Sequence, residues 1–375
     1  MRFRQFQNIW IKKSLHDITK KINIKNKNKE CKNVICNSAQ LGLIRQIDFF
    51  DKEIAQDGSI ENYTIIKKND FVYNPRKSLN APYGPVNIYN YEEAGIVSPL
   101  YLCFSVHDTD KIFLHYYFKS QAWYRFIYLN GDSGARHDRV SIKDEVFFSQ
   151  NLYLPNAIEQ EKIGVFLTLI DQRIDTQSKI IEDLELFKKG IWNYIYLTKS
   201  SDWKCVKLSD ILCERKDFAL KGDEFIHATL SKDGIFAKTD RYDRDFLVTN
   251  DEKEYKITRL NDICYNPANL KFGVICLNKF GDAIFSPIYV TYIVKNDFIP
   301  SFVELILTSS RFLKYIRKYE QGTVYERMAV NSEDFLKGEI LIPIKDKQKA
   351  IADYFDILDL KIKKEKDILE LYKKQ

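Results

Sequence analysis

Two motifs in this 375-residue chain carry residue types that elsewhere do chemistry, Tyr73-Asn-Pro-Arg76 and Tyr265-Asn-Pro-Ala268. An Asn-Pro-Pro-aromatic tetrad clamps an adenine flipped out for amino methylation. Both motifs here lack the second Pro and the following aromatic, and no Gly-rich cofactor loop accompanies them. Asp251 with Glu254-Tyr-Lys256 supplies the side chains of a metal-dependent nuclease, but in a cramped order that reads as a charged surface turn. There is no G-x-x-x-x-G-K-[ST] loop to cradle phosphates. His16, His107, His115, His137 and His227 form no metal-ligand pair at helical spacing. The seven cysteines, an odd count without C-x-x-C spacing, indicate neither a disulfide framework nor a zinc knuckle. Cys264 and Cys276 are expected in the core. No catalytic constellation is visible, so the informative residues are those that could bind.

The Asn-Pro turns are followed by Arg76 and Lys77 in one place and by Asn269 and Lys271 in the other. Two glycine blocks, Gly134 to Val140 and Gly322 to Met328, offer Arg136, His137 and Arg139 against Val324, Tyr325 and Arg327. Arg, Lys and Asn are the side chains that hold DNA phosphates and read base edges. The candidate DNA contacts are therefore Asn74, Arg76, Lys77, Arg136, Arg139, Asn266, Asn269, Lys271, Tyr325 and Arg327. For Asn74 and Asn266 a purely structural role in the turn competes. The first 32 residues hold ten basic and two acidic side chains, in a chain whose net charge is only +6. Such a segment fits a surface that binds phosphates by releasing counterions, and equally a solvated arm.

The elements that must position these residues occur twice. Trp10-Ile-Lys-Lys-Ser-Leu15-His-Asp17-Ile18 returns as Trp203-Lys-Cys-Val-Lys-Leu208-Ser-Asp210-Ile211, a shift of 193. Tyr63 to Pro75 returns as Tyr255 to Pro267, and Ala94 to Leu102 as Asp282 to Val290. The glycine blocks match at a shift of 188, as do Leu152 to Ile174 and Ile340 to Ile362. Five blocks in one order mean that the chain is two copies of one unit. The first part of each copy has short apolar runs bounded by Asn-Pro, Ser-Pro and Gly signals, and predicts a mixed α/β globule with many short strands.

The second part of each copy predicts a long helix that opens after Pro155 or Pro343. Apolar residues alternate at spacings of four and three: Ile163, Leu167, Ile170, Ile174, then Ile181 and Leu184, with Gln177 interrupting. The other copy gives Ile351, Phe355, Leu358 and Ile362, with Glu365 at the place of Gln177. This is a coiled-coil seam, and the matching interruptions predict that the helices pack on each other with the polar pair fixing register. Two amphipathic helices lying on their own globules would be the alternative. At the shift of 188, nothing in the second copy answers the first helix from Lys188 onward.

No run approaches the roughly 18 apolar residues of a membrane helix, and the first residues lack a secretory signal. The expectation is a cytoplasmic protein with reduced thiols and no membrane partner.

Two α/β globules, each followed by a heptad helix, resemble the specificity (S) subunit of type I restriction-modification enzymes. The residues that carry the resemblance are Leu154-Pro155, Glu159-Gln160, Ile163, Leu169, Asp171 and Ile174, with Ile342-Pro343, Gln348, Ile351, Leu358-Asp359 and Ile362. The resemblance implies a target-recognition domain at 1–154, a spacer helix at 155–199, a second recognition domain at 200–342 and a short spacer helix at 343–375. It implies an antiparallel coiled coil, a bipartite target in double-stranded DNA, and partners in methyltransferase (M) and restriction/motor (R) subunits. S-adenosylmethionine, ATP and Mg would belong to those partners, and this chain would be non-catalytic with no cofactor. A related two-part, type IIB-like enzyme would use an equivalent subunit. A coiled-coil adaptor with two protein-binding globules is the reading from another class.

Overall fold

The computed structural model describes residues 2–49, 60–132, 138–220, 225–238, 254–321 and 328–374. They form two compact units, Met1–Asp175 and Thr176–Gln375.

In the first unit, Ile11–Ser14 pairs antiparallel with Asn151–Leu154, tying the beginning of the globule to the strand before the long helix. A four-stranded antiparallel sheet runs in the order Thr19–Lys21, Leu102–Val106, Phe71–Tyr73, Val86–Ile88. Its apolar face packs on helices Lys111–Lys119, Tyr124–Asn130 and Asp144–Phe148 through Phe71, Phe104, Phe118, Trp123 and Phe147, all buried. Phe71 stacks on Phe104 and Tyr73 on Phe147, with centroids 5.5 and 4.9 Å apart. Aromatic pairs of this kind add to the area they bury.

The second unit repeats this plan. Lys204–Lys207 pairs with Glu339–Ile342, and the four-stranded order is Leu212–Glu214, Val290–Val294, Ile263–Tyr265, Ile275–Leu277. A five-stranded sheet holds Phe218–Leu220, Glu254–Thr258, Ala283–Phe285, Ile226–Ser231 and Gly234–Ala237, with one parallel pairing, Ile226 opposite Ala283 and His227 opposite Ile284. The first unit has the pairs Thr64–Ile66 with Gly95–Val97 and Ile35–Ser38 with Gly42–Arg45 in its place. Isolated bridges at Lys25↔Thr64 and Val34↔Ile96 stand where the second unit has Phe218↔Lys256 and His227↔Ile284. The topology is the same and only the length of pairing differs.

Local chemistry repeats as well. Asn69 and Asn261 turn the chain with φ of 73° and 69°, a left-handed conformation that Asn tolerates. The next residue closes each turn: Asp70 Oδ2 accepts from Lys67 N, and Asp262 Oδ2 from Arg259 N, both at 2.7 Å.

The long helices are Ala157–Leu197 and Lys345–Lys374, about 62 and 45 Å at 1.5 Å per residue. The first helix contributes its beginning to one unit and its end to the other. Among the described residues no helix is long and apolar enough to cross a membrane.

Candidate nucleic-acid interface and its scaffold

The Gln of each Pro-x4-Gln motif is a two-way clamp. Gln160 Nε2 donates to Pro155 O at 2.8 Å, and its Oε1 accepts from Asp110 N at 2.9 Å. Gln348 Nε2 donates to Pro343 O at 2.9 Å, and its Oε1 accepts from Ile299 N at 3.0 Å. Asp110 and Ile299 are the N-caps of the first globule helix over the sheet in each unit. Both glutamines are buried, and each satisfies one buried main-chain carbonyl and one part-buried amide. The motif was visible in the sequence, but its partner across the globule was not.

Only part of the heptad stripe lies between helices. Ile163 belongs to the core of the first globule with Leu167 packed against it, and Phe355 to the core of the second with Ile351 against it. This corrects the assignment of Ile163 and Leu167 to the interhelical seam, whereas Phe355 serves both, since it also meets Trp192 of the first helix. A four-three spacing specifies a stripe on one face, and whatever apolar surface lies nearest takes it. The residues Ile170 and Ile174 are half-buried in the first unit.

Within the second unit the two helices do run antiparallel. Gln177 Nε2 donates to Glu365 Oε2 at 2.6 Å and to Glu365 O at 3.1 Å. Lys188 pairs with Asp359, and Trp192 meets Phe355 edge-on at 5.8 Å. Lys366 Nζ lies 2.6 Å from Glu185 Oε1. Ile181, Leu184, Leu358 and Ile362 fall between these rungs, and all but Leu184 are buried. Gln177 and Glu365, matched by the repeat, are thus bonded to each other. A part-buried polar pair of this kind penalises slipped registers, in which each member would lose its partner. The unanswered end of the first helix also has a place: Trp192, Ile191, Ile195 and Tyr196 pack against the second unit's core.

The Asn-Pro turns are built from the inside. Asn74 is buried; its Nδ2 donates to Asn37 O at 3.2 Å and its Oδ1 accepts from Arg76 N at 3.0 Å. Asn266 is buried too, and its Oδ1 accepts from Ala268 N at 3.1 Å, capping the 3-10 turn Pro267–Phe272. Both side-chain oxygens are used within the turns. Gly84, at φ +84°, closes the first loop. A Cβ there would lie 2.0 Å from Asn74 O, so no other residue fits. Gly273, at φ +82°, ends the corresponding loop of the second unit.

What projects from the turns differs. In the first unit, Arg76 pairs antiparallel with Arg139, which brings the two guanidinium groups onto neighbouring strands. Arg76 is exposed, with Nε 3.7 Å from Asp138 Oδ2. The half-buried Lys77 donates its backbone N–H to Asp138 O. In the second unit, Lys271 is exposed with Nζ 5.2 Å above the Phe272 ring, while Asn269 is half-buried. Phe272 itself is exposed. A cation beside an open aromatic face suits phosphate contact and base stacking. Arg136, Tyr325 and Arg327 lie outside the described residues.

The other sequence motifs resolve into structure. Lys256 is buried and lies 2.6 Å from Glu214 Oε1; Asp251 is outside the described residues. Cys103, Cys264 and Cys276 are buried, and burial pushes the Cys103 and Cys264 thiols up to about 12. Among the described residues, no group of three His, Cys, Asp or Glu is arranged to hold a metal.

No protein-family model matches the sequence, and no curated protein matches it. Solved structures do resemble it. The S subunit of a type I restriction-modification system from M. genitalium is 16% identical, with a TM-score of 0.60, over 99% of this chain and 95% of that one. A chain from a structural study of complex assembly and conformational transition in the type I R-M system is 10% identical, with a TM-score of 0.57, over 99% and 96%. This chain has the fold of a type I restriction-modification S subunit.

Proposed function

We propose that this chain is the DNA-specificity subunit of a type I restriction-modification enzyme. Each unit reads one half of a bipartite sequence in double-stranded DNA, and the long helices set the number of base pairs between the halves. M subunits, and with them R subunits, are brought to the site by this chain, which itself catalyses nothing. S-adenosylmethionine, ATP and Mg act in those partners. The observation that carries the reading is the repetition of one scaffold, down to the Gln160 and Gln348 clamps, beneath turns whose projecting side chains differ. Two readers of different half-sites need that combination: one architecture to place a reading loop, and different side chains upon it.

The test is duplex binding by the chain with and without M subunits, across a range of salt. The reading expects affinity that falls steeply as salt rises, because Lys and Arg displace counterions from phosphates. Salt-independent binding, or none with M subunits present, would favour a coiled-coil adaptor whose globules hold proteins.

A further inference from the structure

A polar cleft of about 340 Å³ opens in the first unit beside the Asn-Pro turn, lined by Lys21, Asn23, Lys25, Thr64, Tyr101 and Asp144 among others. Its two cations are not equivalent. Lys21 is paired with Asp144, at 2.5 Å. Lys25 is half-buried and donates only to the neutral hydroxyl of Thr64, at 3.0 Å. Among the described residues, no carboxylate pairs with it.

The repeat supplies an internal control. Lys25↔Thr64 is the bridge that becomes Phe218↔Lys256 in the second unit, so the cation has crossed to the partner strand. There it is neutralised, since Lys256 Nζ lies 2.6 Å from Glu214 Oε1. Glu214 stands at the position of Lys21, and its other oxygen accepts from Ser332, at the position of Asp144. Lys216 adds a cation in the second unit, but an exposed one, where the first unit has Asn23. The second unit's inner groups satisfy one another, whereas the first leaves one ammonium facing an open polar cleft. A partly desolvated ammonium without a counter-charge attracts an anion more strongly than a fully hydrated one.

We propose that this cleft seats one backbone phosphate of duplex DNA on Lys25, and that the second unit makes no such contact. The assignment rests on the DNA-reading function proposed above. Arg76 and Arg139 lie just beyond Pro75 and Val140 at the cleft's edge, so a strand crossing them would present its next phosphates to the opening.

The experiment uses the full chain with M subunits and a fluorescent, mixed-sequence synthetic duplex. Affinity is measured against salt for wild type, Lys25→Gln and Lys25→Arg, and base preference by selection from a random duplex pool. Thermal unfolding verifies that the variants are folded. The expected result is that Lys25→Gln lowers the slope of log K against log salt by about 0.9. Lys25→Arg should keep the slope, and base preference should be unchanged in both. An unchanged slope for Lys25→Gln, with wild type still strongly salt-dependent, overturns the cleft assignment and leaves the function standing. A changed base preference with an unchanged slope makes Lys25 a base reader and also overturns it. Wild type without duplex affinity overturns the function and this inference together.

Discussion

Trp10 and Trp203 hold the same place in the two repeats, and their indole nitrogens are treated differently. Trp10 Nε1 lies 3.4 Å from Glu159 Oε1, and Arg2 Nε shares that buried carboxylate at 3.3 Å. In the second unit the counterpart of Glu159 is Lys347, which turns outward to Ser200 and Asp202. Trp203 Nε1 is left buried with no acceptor among the described residues. One residue away, Gln160 and Gln348 keep the same two bonds in both units. The contrast separates two kinds of position. Groups that satisfy main-chain atoms of the scaffold are retained, because every copy of the backbone needs them. Groups that satisfy only another side chain can drift once their partner changes.

The largest expected effect tests the retained kind. Gln160→Ala and Gln348→Ala each orphan one part-buried amide and one buried carbonyl, at about 1–3 kcal/mol per group. Each should therefore cost about 2–6 kcal/mol, confined to its own unit. Hydrogen exchange resolved by unit measures this, and a loss from only one of the two substitutions would break the equivalence.

The next largest effect belongs to one unit alone. Burial, aided slightly by Lys119, lowers the pKa of His115 from its ordinary value to about 4, and its Nδ1 has no partner among the described residues. Its place in the second unit is held by Val303. A folded-state pKa below the unfolded one means that the unfolded chain binds the proton first as pH falls. His115 therefore withdraws stability from the first unit below about pH 6.5, reaching about 2 kcal/mol at pH 5. Exchange protection in the first unit should drop between pH 7 and 5, and Leu at position 115 should remove most of that drop. Equal loss in both units would place the acid sensitivity elsewhere.

The smallest effect concerns the drifted pair. Lys347→Glu offers Trp203 an acceptor at the place Glu159 serves for Trp10. The bond would stabilise by about 1 kcal/mol, partly offset by loss of the exposed Lys347–Asp202 contact. A small rise in the second unit's unfolding temperature is expected. A fall would mean that the new carboxylate is buried without enough donors, as Glu159 would be without Arg2.

Much of this was legible in the residues. Repeated blocks announced two units, and the matched interruptions Gln177 and Glu365 proved to be bonded to one another. That succeeded because a polar residue in an apolar stripe must find a partner, and the repeat showed where an equivalent one lay. The seam's extent was misread because Ile163 and Leu167 carry the same spacing whether they meet a helix or the globule's own core. The asparagines of the Asn-Pro turns looked like readers because their amides suit base edges. The bonds from Arg76 N and Ala268 N are local turns of the kind that made a structural role compete, whereas the contact of Asn74 with Asn37 O is long-range and has no local signal.

The central claim is that one scaffold, used twice, reads two half-sites independently. Its most direct test exchanges residues 1–154 for the matching part of a type I S subunit and maps methylated sites across a host genome. The account predicts that one half of the target changes while the other half and the gap between them stay the same. A swap that altered both halves, or left both unchanged, would contradict it.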